Sequence, residues 1–78
     1  NGNALLTGPI PDALYSLVNL DTVLLYETAI SGSISSAIGQ LTKLRIAFLN
    51  DNNLSGGIPP EIGNCKALVE LKLDDNNL

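Results

Sequence analysis

Apolar residues recur along the chain with a period of 24 residues. Leu20, Leu44 and Leu68 mark the period, and apolar residues stand three and five positions after each of them. The register continues through later apolar and glycine positions without insertion or deletion, which indicates a repeat protein. It predicts two full repeats, 20–43 and 44–67, with partial repeats at 1–19 and 68–78.

Each repeat predicts a short strand, a turn and a short helical segment. Apolar and polar residues alternate after each leading leucine, which is the period of a strand. Strands are expected near 23–25, 47–49 and 71–73, and helical turns at 12–17, 36–41 and 60–65. The side chains expected to point inward include Leu25, Leu49, Leu73, Ile34, Ile58 and Cys65.

A ladder of polar side chains is expected at the turn after each strand. Thr28, Asn52 and Asn76 share one position of the repeat, and Ala4 holds it in the first copy. An asparagine amide both donates and accepts, so it can satisfy backbone groups of its own coil and of a neighbouring coil. Threonine does part of this, and alanine cannot.

The pattern L-x-x-L-x-L-x-x-N-x-L-x-G-x-I-P resembles the plant-type, 24-residue leucine-rich repeat. Its carriers are LTGPIPDALYSLVNL, LRIAFLNDNNLSGGIPPEIGNCKAL and LVELKLDDNNL, and the register covers the whole chain. Thr28 in place of asparagine and Ser35 in place of proline depart from it. The resemblance implies a right-handed α/β solenoid of about three coils, with a parallel β-sheet on the concave face and short helical turns on the convex side.

The same resemblance extends to receptor-kinase ectodomains and polygalacturonase-inhibitor-like proteins. It implies an extracellular or cell-surface protein that binds a protein or peptide ligand through its concave face. Because the chain begins and ends within a repeat, we expect it to be a piece of a longer array.

Composition excludes most catalytic chemistry. The chain has one cysteine and no histidine, so Cys–His and Ser–His nucleophile pairs are absent and no enzyme, metal site or cofactor is expected. A net charge of −4 argues against nucleic acid, and no apolar run is long enough for a membrane span. Cys65 shares its position with Leu17 and Leu41, which predicts a buried, unreactive thiol.

Outward strand residues form three columns that predict a binding face. Four of them are large and apolar, namely Leu24, Tyr26, Ile46 and Phe48, although exposed sheet faces are usually polar. We therefore expect this face to contact a protein or peptide ligand, or neighbouring copies of the chain. The full predicted face comprises Thr22, Leu24, Tyr26, Ile46, Phe48, Asn50, Glu70, Lys72 and Asp74.

Two further motifs follow the predicted strands. Glu27, Asp51 and Asp75 stack one per coil, where a calcium ion could bridge them; the absence of a full ligand set favours a solvated acidic edge. Asn53-Leu54-Ser55 is an N-x-S sequon, which predicts glycosylation of Asn53 at a solvent-facing turn if the protein is secreted by a eukaryotic cell.

Two functions remain open on these residues. The leading hypothesis is a non-catalytic extracellular recognition module. The alternative is a structural, self-assembling and glycosylated repeat protein that forms a fibre or surface coat, since end-to-end contacts that do not close give filaments. Ice binding is disfavoured because the column of Leu24, Phe48 and Lys72 is mixed rather than a flat ridge of small polar groups.

Overall fold

The computed structural model describes residues 8–78, which contain six short strands and three 3₁₀ helices. The strands are Gly8–Pro9 (β1), Thr22–Leu24 (β2), Ile30–Gly32 (β3), Ile46–Phe48 (β4), Asn53–Leu54 (β5) and Glu70–Lys72 (β6). The helices are Asp12–Ser16, Ser36–Gln40 and Pro60–Asn64.

The strands form two parallel sheets, and successive coils add one strand to each. The first sheet has the order β2-β4-β6, and the second has the order β1-β3-β5. In the first sheet Val23 pairs with Ala47 and Ala47 with Leu71, which is one full repeat per step. In the second sheet Ser31 pairs with Asn53, so each step is two residues shorter than the repeat. The chain is therefore a solenoid whose second sheet is staggered.

The core lies between the two sheets and the helices. Val23 and Ala47 point into it from the strand centres, and Leu49 follows β4 with only 3% of its surface exposed. Each strand of the first sheet lies one residue earlier than the expected position, so the second inward leucine follows the strand. The buried set is Ile10, Tyr15, Val23, Ile30, Ile34, Ile38, Leu41, Leu44, Ala47, Leu49, Leu54 and Cys65.

Ile58 was predicted to point inward, but its side chain is not buried. Ile34 is buried, whereas its repeat equivalent Ile58 is 48% exposed. Ile34 has a later coil to pack against it, whereas Ile58 lies in the last convex segment of the described range. Leu25, directly after β2, and Leu73, directly after β6, are partly buried against the core.

The helices begin where proline or a hydroxyl residue sets an extended backbone. Pro11 and Pro59 are the N-caps of the first and third helices, with φ of −62° and −66°. Ser35 stands at the N-cap of the second, and its side chain accepts a hydrogen bond from the Ala37 N–H at 3.0 Å. The serine that departs from the repeat pattern thus supplies a cap that proline cannot, because proline has no side-chain acceptor.

Tyr15 and Cys65 are buried side chains of the convex side, and the repeat pattern predicts the burial of only one of them. Cys65 is buried as expected; its Sγ lies 3.3 Å from the Ile38 carbonyl, and burial raises the pKa of its thiol. Tyr15 is also buried, with its hydroxyl accepting from the Ser35 N–H at 3.2 Å. The repeat gave no signal for it, because the equivalent positions are Gly39 and Gly63.

Candidate functional site

The outward side of the first sheet, here called the sheet face, brings together residues of all three coils. Parallel pairing aligns Leu24 with Phe48 and Phe48 with Lys72 in one column. Thr22, Ile46 and Glu70 form the column before it by the same register. The third predicted column follows the strands and consists of Tyr26, Asn50 and Asp74.

Four apolar side chains occupy the first two coils of the sheet face. Leu24 is 48% exposed and Tyr26 is 41% exposed, whereas Ile46 and Phe48 are partly buried. The difference follows from strand order, because β4 has a neighbour on each side. The rings of Tyr26 and Phe48 have centroids 6.4 Å apart with a tilt of 58°, within the range of favourable aromatic pairs.

Lys72 closes the apolar cluster on the side of the third coil. Its Nζ lies 4.7 Å from the centroid of the Phe48 ring, which is the geometry of a cation–π contact. Phe48 is therefore contacted by Tyr26 on one side and by Lys72 on the other. This places Phe48 at the middle of the cluster, with a positive charge beside it.

An acidic edge borders the third column. Side-chain oxygens of Asp51, Asp74 and Asp75 lie within 4.8 Å of one another, and all three residues are exposed. A hydrogen bond with Asp51, followed by the charges of Asp51 and Asp74, raises the pKa of Asp75. The proximity thus shows first as a hydrogen bond between Asp75 and Asp51 and then as repulsion between the carboxylates. Exposed acidic groups of this kind are common without an ion, and nothing else within residues 8–78 indicates one at this edge.

The acidic residues also hold unusual backbone conformations that the sequence did not predict. Glu27, Asp51 and Asp75 have φ values of 56°, 61° and 58°, in the left-handed region. These residues turn the chain after each strand of the first sheet. Aspartate tolerates this region better than most residues do, but glutamate has no such preference.

Asn50 links the face to this edge. Its Nδ2 donates to Asp51 Oδ2 at 2.8 Å, while its Oδ1 is buried without a hydrogen-bond partner among the described residues. The orphaned acceptor costs stability, since a buried polar atom without a partner loses its hydration.

Asn52 makes the most extensive side-chain contacts among the described residues. Its Nδ2 donates to the carbonyls of Leu25 at 2.8 Å, Leu49 at 3.1 Å and Asn50 at 3.1 Å. Its Oδ1 accepts from the Thr28 N–H at 2.9 Å and the Ile30 N–H at 3.3 Å. One side chain therefore holds two successive coils together beneath the sheet face.

The other two ladder residues make subsets of these contacts. Asn76 donates to the carbonyls of Leu49 at 2.8 Å and Leu73 at 3.1 Å, and accepts from the Leu54 N–H at 3.0 Å. The Thr28 hydroxyl lies 2.9 Å from both the Leu25 carbonyl and Asn52 Oδ1, and its single proton serves one of them at a time. Ala4 lies outside the described residues.

The sequon lies in the second sheet rather than in a turn. Asn53 is the first residue of β5 and is exposed, with Leu54 fully buried beside it. The expectation of a solvent-facing turn is thus corrected to an exposed strand position. Asn53 belongs to a different sheet from the sheet face.

An apolar concavity of about 330 Å³, separate from the sheet face, adjoins the start of the described range. Leu14, Leu17 and Leu25 line it together with prolines of the first coil. Leu17 is 53% exposed, whereas its later equivalents Leu41 and Cys65 are buried. Among residues 8–78, no helix is both long and apolar enough to cross a bilayer.

Comparisons with known proteins agree with this architecture. Residues 43–65 match the family described as Leucine Rich Repeat. Among the solved structures that match is a chain of the crystal structure of the BIR3–SERK2 complex from Arabidopsis thaliana, with a TM-score of 0.87 and 36% sequence identity. The chain is a leucine-rich repeat solenoid that resembles the plant type.

This leucine-rich repeat chain resembles the ectodomain of a plant receptor kinase. The match covers 91% of this chain but only 38% of the Arabidopsis chain. The leucine-rich repeat segment is thus compared with about two fifths of its structural neighbour. A comparison with curated proteins gave no match.

Proposed function

We propose that the chain is a non-catalytic recognition module that binds a protein or peptide through the sheet face. We further propose that it acts outside the cell or at the cell surface. The observation that carries the first proposal is the apolar cluster of Leu24, Tyr26, Ile46 and Phe48. These residues alternate with inward residues, so the solenoid core does not use them, and two of them are more than 40% exposed.

The energetics of the cluster favour a partner over water. Burying an exposed leucine or aromatic side chain gains roughly 1.5–3 kcal/mol. Tyr26 and Phe48 already contact each other, so a partner meets a preformed aromatic surface and orders few side chains on binding. Lys72 and the acidic edge add charges of both signs at the rim, which suits the mixed polar border of a protein interface.

The structural comparison supports the class of partner. The Arabidopsis chain was crystallised in a complex of two named proteins, BIR3 and SERK2. A similar fold of leucine-rich repeats therefore occurs in a protein–protein assembly. The proposed location rests on the likeness to receptor-kinase ectodomains, and secretion of the full-length native protein tests it.

The proposal is tested at the middle of the cluster. Peptides are selected on the wild-type chain from a random display library, and their binding is then titrated against Phe48→Ala. We expect a loss of about 10–100-fold in affinity, equivalent to roughly 1–3 kcal/mol, because a central aromatic anchor carries much of the binding energy. Unfolding of Phe48→Ala should cost only about 1 kcal/mol, from the lost contacts with Tyr26 and Lys72.

Val69→Ala is the matched control. Val69 is 75% exposed and apolar but lies outside the sheet face, just before β6. Its variant should bind the selected peptides as the wild type does. If Val69→Ala loses affinity and Phe48→Ala does not, the binding surface lies elsewhere and the proposal fails.

Binding between copies of the chain is the alternative use of the same face. Sedimentation velocity over a range of concentrations distinguishes it from binding of a foreign peptide. Self-association that disappears in Phe48→Ala assigns the face to a second copy. Filaments that persist in Phe48→Ala would instead support assembly through another surface.

A further inference from the structure

We infer that Asn53 is a site of N-linked glycosylation. The inference rests on the proposed extracellular location, but it concerns a different sheet from the binding face and does not depend on that face binding a partner. Asn53-Leu54-Ser55 is the one position in the sequence where a serine or threonine stands two residues after an asparagine. The question for the structure is whether this asparagine is free to be modified.

The two adjacent asparagines of this coil have opposite environments. Asn52 is 8% exposed and its amide is fully engaged with the backbone of two coils. Asn53 is exposed, and within residues 8–78 its side-chain amide makes no hydrogen bond. A glycan on Asn53 therefore displaces no contact described here, whereas the same group on Asn52 would break the turn ladder.

The rest of the sequon is also suitably placed. Leu54 has none of its surface exposed, so alternation along β5 directs Asn53 to the outside. Ser55 is exposed, and its backbone N–H is held by the Gly32 carbonyl at 2.8 Å. Because both polar residues of the sequon are at the surface, the folded chain accommodates a bulky, hydrated sugar there.

The reaction is a group transfer from a lipid-linked oligosaccharide diphosphate, catalysed by a transferase of the secretory pathway. A bond forms between Asn53 Nδ2 and the anomeric carbon of the first sugar. The bond between that carbon and the diphosphate oxygen breaks, and the lipid diphosphate leaves. The amide loses one proton, which the released diphosphate or solvent takes up, so no oxidant or reductant is needed.

The preceding coil offers a matched position. Ala29-Ile30-Ser31 occupies the same place in the repeat, and Ser31 keeps the hydroxyl while Ala29 lacks the amide. Ala29 is exposed and has a φ of 63°, a conformation that asparagine adopts more readily than alanine. Ala29→Asn therefore creates a second sequon at a position whose backbone conformation suits asparagine.

The test is secreted expression of the chain from eukaryotic cells, followed by intact mass with and without peptide N-glycosidase and by peptide mapping. The wild type should lose the mass of one glycan and show aspartate at position 53. Asn53→Gln and Ser55→Ala should carry no glycan, and Ser55→Thr should keep it. Ser31→Ala should behave as the wild type, and Ala29→Asn should carry two glycans.

An unmodified Asn53 in the secreted wild type overturns the inference, whatever happens at position 29. A glycan that survives in Asn53→Gln also overturns it, because the sugar would then be attached elsewhere. If the Ala29→Asn variant is modified at position 29 alone, the cells can use this face of the fold and Asn53 itself is a poor acceptor, which again contradicts the inference.

Discussion

Removing the Asn52 side chain should weaken the solenoid far more than its single amide suggests. Asn52→Ala deletes contacts to two N–H groups and three carbonyls. Two of the three carbonyls still have another hydrogen-bond donor nearby. Thr28 Oγ1 can donate to the Leu25 carbonyl, and Asn76 Nδ2 donates to the Leu49 carbonyl.

The loss of stability in Asn52→Ala is therefore set mainly by the backbone N–H groups that lose their acceptor. Among the described contacts, the Thr28 N–H loses its acceptor at 2.9 Å and the Ile30 N–H loses a longer one at 3.3 Å. A buried donor without a partner costs about 1–3 kcal/mol, so the sum is about 2–4 kcal/mol. Proteins of this length have unfolding free energies of about 4–12 kcal/mol, so this loss is a large share.

The assay is equilibrium unfolding in urea, followed by circular dichroism, with Asn53→Ala as the control. Asn53 is the adjacent asparagine and is exposed, so its variant should lie within about 0.5 kcal/mol of the wild type. Hydrogen exchange should report faster exchange at the Thr28 amide in Asn52→Ala. Equal midpoints for the two alanine variants would refute the argument that Asn52 holds the coils together.

Two further predictions test the core and the acidic edge. Leu49→Asp places a charge where the leucine is only 3% exposed. It should lower the free energy of unfolding by several kcal/mol or abolish folding, and the midpoint of urea unfolding measures this. The control is Lys72→Asp, which lies on the outward side and should leave the core intact. Because the pKa of Asp75 is raised in the folded state, protonation favours folding, and wild-type stability should fall as pH rises from the ordinary aspartate range through that raised pKa. Asp75→Asn should remove this part of the pH dependence in thermal melts, and the control variant Asp12→Asn should retain it. If Asp75→Asn has the same pH profile as the wild type, the raised pKa of Asp75 does not contribute to stability.

The period of the sequence was sufficient for the register of the first sheet. Sequence spacing alone aligned the inward leucines, and the parallel pairing of Val23 with Ala47 and Leu71 follows the same spacing. Spacing works here because each coil repeats the same backbone path, so one correct register fixes all strands of the first sheet. The stagger of the second sheet was not foreseen, because a repeat length states nothing about which atoms pair across coils.

Other features depend on contacts that a repeat pattern does not encode. Ile58 matches Ile34 in sequence but differs in burial, because burial depends on the coil that follows. Tyr15 stands where other coils have glycine, so its contact with the Ser35 N–H is specific to one pair of coils. The left-handed backbone of Glu27 was also missed, since glutamate gives no signal for it.

The placement of sheet-face residues followed from alternation, but their relative exposure did not. Alternation assigned Leu24 and Phe48 to the same outward column, and strand order then made them unequal. β4 has neighbours on both sides, so Phe48 is partly buried between Tyr26 and Lys72, whereas Leu24 lies on the edge strand. Alternation therefore predicts which residues lie on the sheet face, and only the order of the strands in the structure shows which residue lies at its centre.

The substitution of threonine for asparagine at position 28 changes how the coils are coupled. An asparagine amide has two protons, and Asn52 uses them on the Leu25 carbonyl of the preceding coil and on Leu49 and Asn50 of its own. A threonine hydroxyl has one proton, and that of Thr28 serves the Leu25 carbonyl or Asn52 Oδ1. Thr28 therefore donates to Asn52 of the following coil or to the Leu25 carbonyl of its own coil, and none of its described hydrogen bonds reaches the preceding coil. At the turn ladder, the side-chain bonds that reach the preceding coil come from Asn52 and Asn76, which is why the deletion of Asn52 tests this coupling most directly.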